Sequence, residues 1–277
     1  MSKHIVDILI EERASRLMSS LTGRKLVRKF FYPILRYREA VTTIDTVSSM
    51  NALSAFNHLA ESLQLRISLS GLRNIPPNGS VIVVANHPTG IADGIAIFQV
   101  LAEIRKDITF FANRDALRAS PSLSEMLIPV EWVDARRTIS RNKETLKAIM
   151  RAIRAKRLIV IFPSGRLAKP SLRGLKERQW SITAANLARK YDIPIIPVHI
   201  KARNSWVYYS LCFLHTELKD MCLFRELINK KNQPYRLTIG HPFEMQDTTN
   251  HTTRALRRYV LDVLGRFRKN HSTPGDS

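Results

Sequence analysis

One histidine and one aspartate that follow an apolar run could carry out acid–base chemistry. The run SVIVVA (residues 80–85) is followed by NHPTGIAD, which places His87 six positions before Asp93. On a regular helix that spacing would turn the two side chains about 240° apart. Pro88 and Gly90 favour a turn instead, and across a turn the side chains can meet. An aspartate that accepts the Nδ1 proton of an imidazole leaves Nε2 as a base, so the pattern predicts a general-base pair.

The same two residues also have a structural interpretation. Asp93 lies where the next helix is expected to begin, and a carboxylate there caps the free backbone N–H groups of the first turn. His87 would then simply complete the turn before that helix. The residues alone leave both interpretations open.

A second apolar run, LIVIF (residues 158–162), ends in a small and basic turn, PSGRLAK. The backbone N–H groups of such a turn, together with Arg166 and Lys169, favour a phosphate or carboxylate ligand, and Arg173 follows soon after. Ser164 does not lie in a G-x-S-x-G elbow, which argues against a nucleophilic serine. A basic turn without any ligand is the alternative.

Other candidate motifs carry little information. Cys212, His215 and Cys222 do not have the spacing of a standard zinc site, so we predict no metal. The sequence contains neither a Walker A motif nor G-x-G-x-x-G, which argues against nucleotide binding by those loops.

The elements that must position these residues alternate between strands and helices. Seven short β-rich runs are predicted as strands: RISLSG, SVIVVA, ITFFA, PVEWV, LIVIF, IPIIPVHI and YRLTIG. Helices are predicted between them, near 93–104, 115–127, 140–156 and 181–190, and at 252–268. Fully apolar strands separated by helices indicate an α/β fold with a sheet covered on both faces. The segment SWVYYSLCFL (205–214) is predicted as a buried strand or helix, or as an interfacial contact.

The first 64 residues are predicted to be helical. Residues 25–38 combine an apolar set with a basic set, a pattern typical of a helix that lies in a membrane interface. The apolar set is Phe30, Phe31, Ile34 and Leu35, and the basic set is Lys25, Arg28, Lys29, Arg36 and Arg38. A core-packing helix with a basic outer face is the alternative. A further helix is expected from Val47 to Leu63. We therefore expect a membrane-docking segment at 1–64, an α/β domain at 65–269 and a disordered tail at 270–277.

The charge of the chain requires a partner. The 277 residues contain 44 Lys and Arg against 23 Asp and Glu, a formal net charge of +21. Nucleic acid, an anionic membrane surface or an acidic protein could balance this charge. No zinc finger, RNP motif or basic zipper supports nucleic acid. No apolar run reaches the roughly 18 residues of a membrane span, and no secretory signal is recognisable.

Four segments together resemble the glycerolipid acyltransferase superfamily. Its N-H-x4-D block corresponds to His87 and Asp93, and its second block to FFANR, which ends at Arg114. Its F-P-E-G-T-R block is similar to FPSGR (162–166), and its fourth block to IPIIPV (193–198). The order and separations of the blocks agree over residues 66–243. The resemblance implies a mixed, largely parallel sheet flanked by helices.

Two departures point to one branch of that superfamily. The gap between His87 and Asp93 holds five residues instead of four, and Ser164 stands where a glutamate is usual, in a block one position shorter. Both variations are similar to a bacterial hemolysin-like branch that includes lyso-ornithine lipid acyltransferases.

The resemblance implies an enzyme that moves a fatty acyl chain from acyl-CoA or acyl-carrier protein to a hydroxyl of a lysolipid in membrane lipid synthesis. The acceptor would be of the 1-acylglycerol-3-phosphate or lyso-ornithine-lipid type. His87 would be the general base and Asp93 its orienting partner. The substrate-binding residues would be Arg114, Ser164, Gly165 and Arg166. No metal or organic cofactor is implied, and the enzyme would be peripheral, on the cytoplasmic face of the inner membrane.

Two other functions compete with this one. A basic protein that binds nucleic acid or membrane without catalysis would use His87 and Asp93 only for structure. A serine hydrolase would use Ser164 as its nucleophile and would need no acceptor lipid.

Overall fold

The computed structural model describes residues 3–131, 136, 138–171, 174–214 and 216–266. The predicted tail at 270–277, together with Arg173 and His215, lies outside these residues.

Within the described residues, seven strands form one sheet in the order β1-β9-β8-β2-β5-β3-β4. Their bounds are β1 Arg66–Ser70, β2 Val81–Ala85, β3 Ile108–Asn113, β4 Leu127–Val130, β5 Leu158–Ile161, β8 Ile195–Lys201 and β9 Pro234–Ile239. Every neighbouring pair is parallel except β8 and β9. A short antiparallel hairpin, β6 Lys169–Ser171 and β7 Gly174–Lys176, stands apart from the sheet. The prediction of a mixed, largely parallel sheet is confirmed.

Helices cover both faces of the sheet. Those before the first strand are α1 Ile5–Arg13, α2 Ser15–Met18, α3 Leu21–Leu26, α4 Tyr32–Ile34, α5 Tyr37–Ser48 and α6 Ala52–Leu63, with a π-helical stretch at Val27–Phe31. Those after it are α7 Ile91–Leu101, α8 Asp115–Ala119, α9 Ile139–Arg154, α10 Thr183–Tyr191, α11 Trp206–Leu214, α12 Thr216–Met221, α13 Leu223–Ile228 and α14 Thr249–Arg258. Single 3-10 turns lie at Leu72–Asn74, Pro121–Glu125 and Leu264–Arg266, and a second π-helical stretch follows α14 at Tyr259–Val263.

The two central strands are buried because both of their faces are packed. Every residue of β2 and β5 is buried, as expected for continuous apolar runs inside a parallel sheet. On one face the aromatic ring of Phe56 packs against those of Phe98 and Phe110, which joins α6 and α7 to the sheet. On the other face α9, α10 and α14 contribute a second apolar cluster, which includes Trp180. The core therefore holds β2 and β5 rigidly.

The N-terminal helices do not form a core of their own. Val6, Leu35 and Ile44 belong to the same buried cluster as Tyr208 of α11 and Cys222, which precedes α13. Elements far apart in sequence thus share one apolar core. The division of the chain at residue 64 remains a prediction.

Several predicted elements differ from the observed ones. The helix expected from Val47 to Leu63 is broken, because Asn51 caps a new helix by accepting the Ser54 N–H at 2.9 Å. The strand expected in PVEWV begins two residues earlier and ends at Val130. The segment SWVYYSLCFL, for which a helix was one of the predicted alternatives, is mostly the helix α11, in which only Tyr208 is buried. The helices α12 and α13 and the β6–β7 hairpin were not predicted.

The predicted membrane-docking residues divide into two groups. Leu35 is buried and packs in the cluster with α11, so its assignment to the apolar docking face is wrong. Phe30 and Ile34 are about half exposed, with relative exposures of 53% and 47%. Among the residues that the structure describes, no helix combines the length and apolar character that crossing a bilayer requires.

Candidate active site

The residues singled out in the sequence lie where strands end, at one edge of the sheet. His87 follows β2, Arg114 follows β3, and Ser164, Gly165 and Arg166 follow β5. Because these strands are parallel, their carboxyl ends share an edge, which is where open α/β sheets bind ligands. β2 and β5 are neighbours, whereas β3 lies one strand further, about 10 Å from β2 at ordinary strand spacing.

His87 and Asp93 meet across the turn. His87 Nδ1 lies 2.9 Å from Asp93 Oδ2, and the Asp93 side chain is fully buried. The same Oδ2 accepts the backbone N–H groups of Thr89 at 2.8 Å and of Gly90 at 2.9 Å. Asp93 therefore caps α7 and faces the imidazole at the same time, so the capping and catalytic interpretations are compatible.

The contact between the imidazole and the carboxylate is close but not aligned. His87 Nδ1 is buried and has no hydrogen-bond partner with acceptable geometry in the described residues, although the carboxylate oxygen is 2.9 Å away. Catalytic hydrogen bonds are often poorly aligned before substrate binds and become linear in the complex. Alignment of the Nδ1–H with Asp93 Oδ2 would complete this hydrogen bond.

Buried hydroxyl groups support the other oxygen of Asp93. Thr89 Oγ1 donates to Asp93 Oδ1 and lies 2.7 Å from the Tyr235 hydroxyl of β9. Burial, and next to it the charge of Asp93, raises the pKa of Tyr235 far above its usual range, so this phenol stays protonated. Asp93 is thus held by neutral donors and remains available to a positive imidazole.

A buried ion pair lies on α13 and just after it. Lys230 Nζ is 3.2 Å from Glu226 Oε2, and both side chains are almost fully buried. Burial lowers the pKa of Lys230, while the charges of Glu226 and Asp93 oppose this shift. Glu226 also accepts the backbone N–H and the hydroxyl of Ser205. The pair anchors the start of α11 to α13.

The backbone of His87 is fixed at both of its polar groups. Its N–H donates to Glu177 Oε1 at 2.7 Å, and its carbonyl accepts the N–H of Ala168 at 3.0 Å. Its ring stacks on Phe162 with a centroid separation of 4.3 Å. The side chain keeps 17% of its surface exposed, which leaves the ring accessible from solvent.

The turn after β5 lies against His87. Gly165 has φ +60°, a left-handed conformation that favours glycine, and its N–H donates to the Phe162 carbonyl at 3.0 Å. Ser164 Oγ donates to the Arg166 carbonyl at 2.9 Å, so the hydroxyl closes the turn and is not paired with an imidazole. The exposed Arg166 guanidinium makes no hydrogen bond or ion pair with any described residue.

Arg114 is more constrained than the sequence suggested. Its Nη1 donates to Glu144, its Nη2 to the Arg141 carbonyl at 3.4 Å, and its buried Nε has no partner among the described residues. Arg114 lines a cavity of about 350 Å3 between α1 and the ends of β3 and β4. The other residues lining it are Glu12, Asp115, Arg118, Glu131, Arg136 and Arg141. A second cavity of about 630 Å3 lies between residues 179–182, which precede α10, and α14, and His87 is not among its lining residues.

Three residues of the site were missed in the sequence. Thr89 lies inside the motif, but its hydroxyl contact with Asp93 becomes visible only once the turn is formed. Tyr235 and Glu177 come from distant segments that carry no motif, so no local signal could have identified them.

The comparisons with known proteins agree with these observations. A family model described as "Acyltransferase" matches residues 66–201, which include all four blocks noted in the sequence. A lyso-glycine lipid O-acyltransferase of Phocaeicola vulgatus is 25% identical over 211 residues, covering 74% of this chain and 74% of its own. One of Bacteroides thetaiotaomicron is 22% identical over 211 residues, covering 74% and 76%.

A solved structure covers 97% of this chain and 100% of its own: the 1-acyl-sn-glycerophosphate (LPA) acyltransferase PlsC of Thermotoga maritima, with a TM-score of 0.48 and 15% identity. The matched model spans the region in which the four blocks occur in order. Residues 66–201 are therefore an acyltransferase domain, and together with the two relatives they support membership in the glycerolipid acyltransferase superfamily.

Proposed function

We propose that the protein transfers a fatty acyl chain from a thioester donor to a hydroxyl group of a lysolipid. The observation that carries this proposal is the buried Asp93 carboxylate 2.9 Å from Nδ1 of a partly exposed His87 ring, at the ligand-binding edge of the sheet. The names of the curated relatives, both lyso-glycine lipid O-acyltransferases, support the same reaction class.

In the proposed reaction, His87 Nε2 takes the proton of the acceptor hydroxyl. The oxygen attacks the thioester carbonyl, the C–O bond forms, and the C–S bond breaks as the tetrahedral intermediate collapses. The imidazolium then gives its proton to the leaving thiolate, and Asp93 stabilises the positive ring between the two transfers. Base catalysis of this kind contributes about 10²–10⁴-fold. The reaction needs no acyl-enzyme, in agreement with the position of Ser164 Oγ on a backbone carbonyl.

The proposed acceptor carries a phosphate or a carboxylate in its head group. Arg166 is exposed, two residues before Ala168, whose N–H donates to the His87 carbonyl, and it has no hydrogen bond or ion pair with the described residues that a ligand would have to break. A guanidinium binds a phosphate or a carboxylate through two parallel hydrogen bonds. Lysophosphatidic acid, lyso-ornithine lipid and lyso-glycine lipid are therefore the acceptors to compare. We propose that Arg114 also binds an anionic group, but as a weaker candidate than Arg166, since it is already paired with Glu144.

The proposed place of action is an anionic membrane surface, on the cytoplasmic face. Phe30 and Ile34 are exposed in the N-terminal helices, and α11 exposes Trp206, Phe213 and Leu214. Other residues of these two regions, such as Leu35 and Tyr208, share one apolar cluster, so we propose that the exposed side chains form a docking patch. Basic residues beside the patch add about 1 kcal/mol each at an anionic leaflet.

The experiment measures thiol release from the purified protein. Acyl-CoA and acyl-carrier protein are each supplied with the three lysolipids, and the products are identified by mass spectrometry. We expect an acylated acceptor lipid as product and the release of one thiol for each acyl chain transferred. Thiol release without an acceptor, together with fluorophosphonate labelling, would indicate a serine hydrolase instead. Absence of any product with every donor and acceptor would favour a binding protein.

A further inference from the structure

Glu177 is a buried carboxylate that the proposed chemistry does not use. Only 4% of the residue is exposed. Its Oε1 accepts the His87 N–H at 2.7 Å, and its Oε2 accepts the Trp180 indole N–H at 3.0 Å. No cation among the described residues forms an ion pair with it. A buried charge without a cation is costly, and the two hydrogen bonds are what offsets that cost.

The backbone that carries Glu177 is itself fixed. Arg257 of α14 donates to the Glu177 carbonyl at 3.0 Å and to the Arg178 carbonyl at 3.2 Å. Ser181 N–H donates to the Pro163 carbonyl at 2.9 Å, which ties the same segment to the turn after β5. The carboxylate therefore approaches His87 from a rigid support and not from a free loop.

The position of His87 requires such a support. Because Nδ1 lies 2.9 Å from Asp93 Oδ2 without an aligned hydrogen bond, the orientation of His87 decides whether that hydrogen bond forms. Hydrogen bonds to a charged acceptor are about twice as strong as neutral ones, so a carboxylate fixes the N–H more firmly than a carbonyl would.

We propose that Glu177 is a positioning residue for the catalytic reaction, setting the orientation of the His87 ring through its backbone N–H. Arg257 contributes by holding the segment on which Glu177 lies. This inference rests on the proposed function, because it assigns Glu177 a role only through His87.

The test compares Glu177→Ala and Glu177→Gln with the wild type in the acyl-transfer assay. We expect Glu177→Ala to lower kcat by up to about 100-fold with KM within about twofold, because a misplaced base slows the chemical step and leaves binding intact. Glu177→Gln keeps one oxygen that accepts a hydrogen bond. Its amide N–H groups, however, would face either the His87 N–H or the Trp180 indole N–H, each of which is itself a donor. The kcat of Glu177→Gln should lie between those of the wild type and Glu177→Ala. The NMR pH titration of the His87 ring should also change in both variants.

Arg257 and Arg189 provide a matched pair. Arg189 of α10 also donates to two backbone carbonyls, those of Gln246 and Asp247, at the opposite edge of the sheet. We expect Arg257→Ala to lower kcat several-fold and Arg189→Ala to leave kcat unchanged. The two variants should have similar unfolding midpoints. Equal kcat losses in both variants would overturn the inference, since general loosening of α14 would explain them.

Three other outcomes would also overturn it. One is a Glu177→Ala enzyme with kcat within about twofold of wild type. The second is a raised KM at constant kcat, which would place Glu177 on substrate. The third outcome applies if Glu177→Ala does not fold: a Glu177→Gln variant with wild-type kcat and an unchanged His87 titration would then overturn the inference. Wild type and His87→Ala are run in parallel: an inactive wild type rejects the proposed function, whereas an active wild type, an inactive His87→Ala and a fully active Glu177→Gln reject only the positioning role.

Discussion

The Asp93 carboxylate caps α7 and contacts the His87 imidazole, and the turn between His87 and Asp93 makes both contacts possible. Gly90 has φ +103°, a conformation that L side chains rarely adopt, and a Cβ there would lie 3.2 Å from Leu167. Gly90 therefore suits the turn that brings His87 and Asp93 together. The His–Asp pair could be identified from sequence because its members are close along the chain. Glu177 and Tyr235 could not, because only the folded sheet brings them to it.

Removing either member of the pair should abolish acyl transfer without unfolding the protein. We expect His87→Ala to lose about 10²–10⁴-fold in kcat, the usual contribution of a general base. Asp93→Asn should lose activity as well, because an amide cannot hold the correct tautomer or stabilise an imidazolium. Thiol-release kinetics and circular dichroism measure both effects. Near-wild-type turnover of folded His87→Ala would show that the base has been assigned wrongly.

Arg166 should determine selectivity for the acceptor. Replacing it with alanine removes a guanidinium–anion contact worth about 1.5–3 kcal/mol, roughly 10- to 100-fold in kcat/KM. The loss should be larger for an anionic lysolipid than for a zwitterionic one. Steady-state kinetics with the two acceptors, with Arg114→Ala as the paired variant, measure the difference. Equal losses for both acceptors would assign Arg166 to the donor or to the turn.

The elements were predicted well where apolar runs are continuous and less well where single residues decide a boundary. β2, β5 and β8 follow from buried runs that no helix pattern fits. The break near Asn51 escaped notice because the apolar spacing continues on both sides of it. The β6–β7 hairpin has only three residues in each strand, too short for an alternating pattern. Leu35 was placed on the wrong face because its partners on α11 to α13 come much later in the chain.

The cap at Asn51 gives a test of the helix break. Asn51→Ala removes the acceptor for the Ser54 N–H and should lower the free energy of unfolding by about 1 kcal/mol. Asn51→Asp keeps the acceptor and should be close to neutral. Urea unfolding followed by circular dichroism measures both. Equal stabilities of the alanine and aspartate variants would mean that the side-chain cap does not matter.

His199 on β8 should make stability depend on pH. Burial lowers its pKa to about 4, below the ordinary value of 6.5 that it regains on unfolding. Between these two values the unfolded chain binds more protons than the folded one, so unfolding becomes easier as the pH falls from 6.5 towards 4. The slope should be about 1.4 kcal/mol per pH unit. His199→Gln should flatten the dependence of the unfolding free energy on pH in this window; an unchanged slope would assign it to other groups.

The molecule as a whole combines a strongly basic composition with the proposed docking patch, which includes the exposed Phe30 and Ile34. We expect strong binding to anionic vesicles at low salt and weaker binding as salt rises, since screening acts within about 10 Å at 0.1 M. The double substitution Phe30→Ser and Ile34→Ser should weaken binding and vesicle-based turnover while sparing a dispersed short-chain acceptor. Cosedimentation at several salt concentrations measures this.

The control for the patch is Ile139→Ser, since Ile139 is exposed on α9, which lies outside that apolar cluster. It should bind vesicles like the wild type. Equal binding by the patch variant and the wild type would reject docking through Phe30 and Ile34. Truncation is a poorer test, because the N-terminal helices contribute to a buried cluster that would be left open.

The pairing of β1 with β9 determines when a nascent chain can complete its sheet. Arg66–Ser70 pairs in parallel with Pro234–Ile239. Within the described residues, β9 is the only strand that pairs with β1. On the ribosome, the first strand made must therefore wait for the last one before it can join the sheet. β9 also brings Tyr235 to Thr89 beneath Asp93. The support of the aspartate is thus completed late in translation, and a shorter nascent chain would lack it.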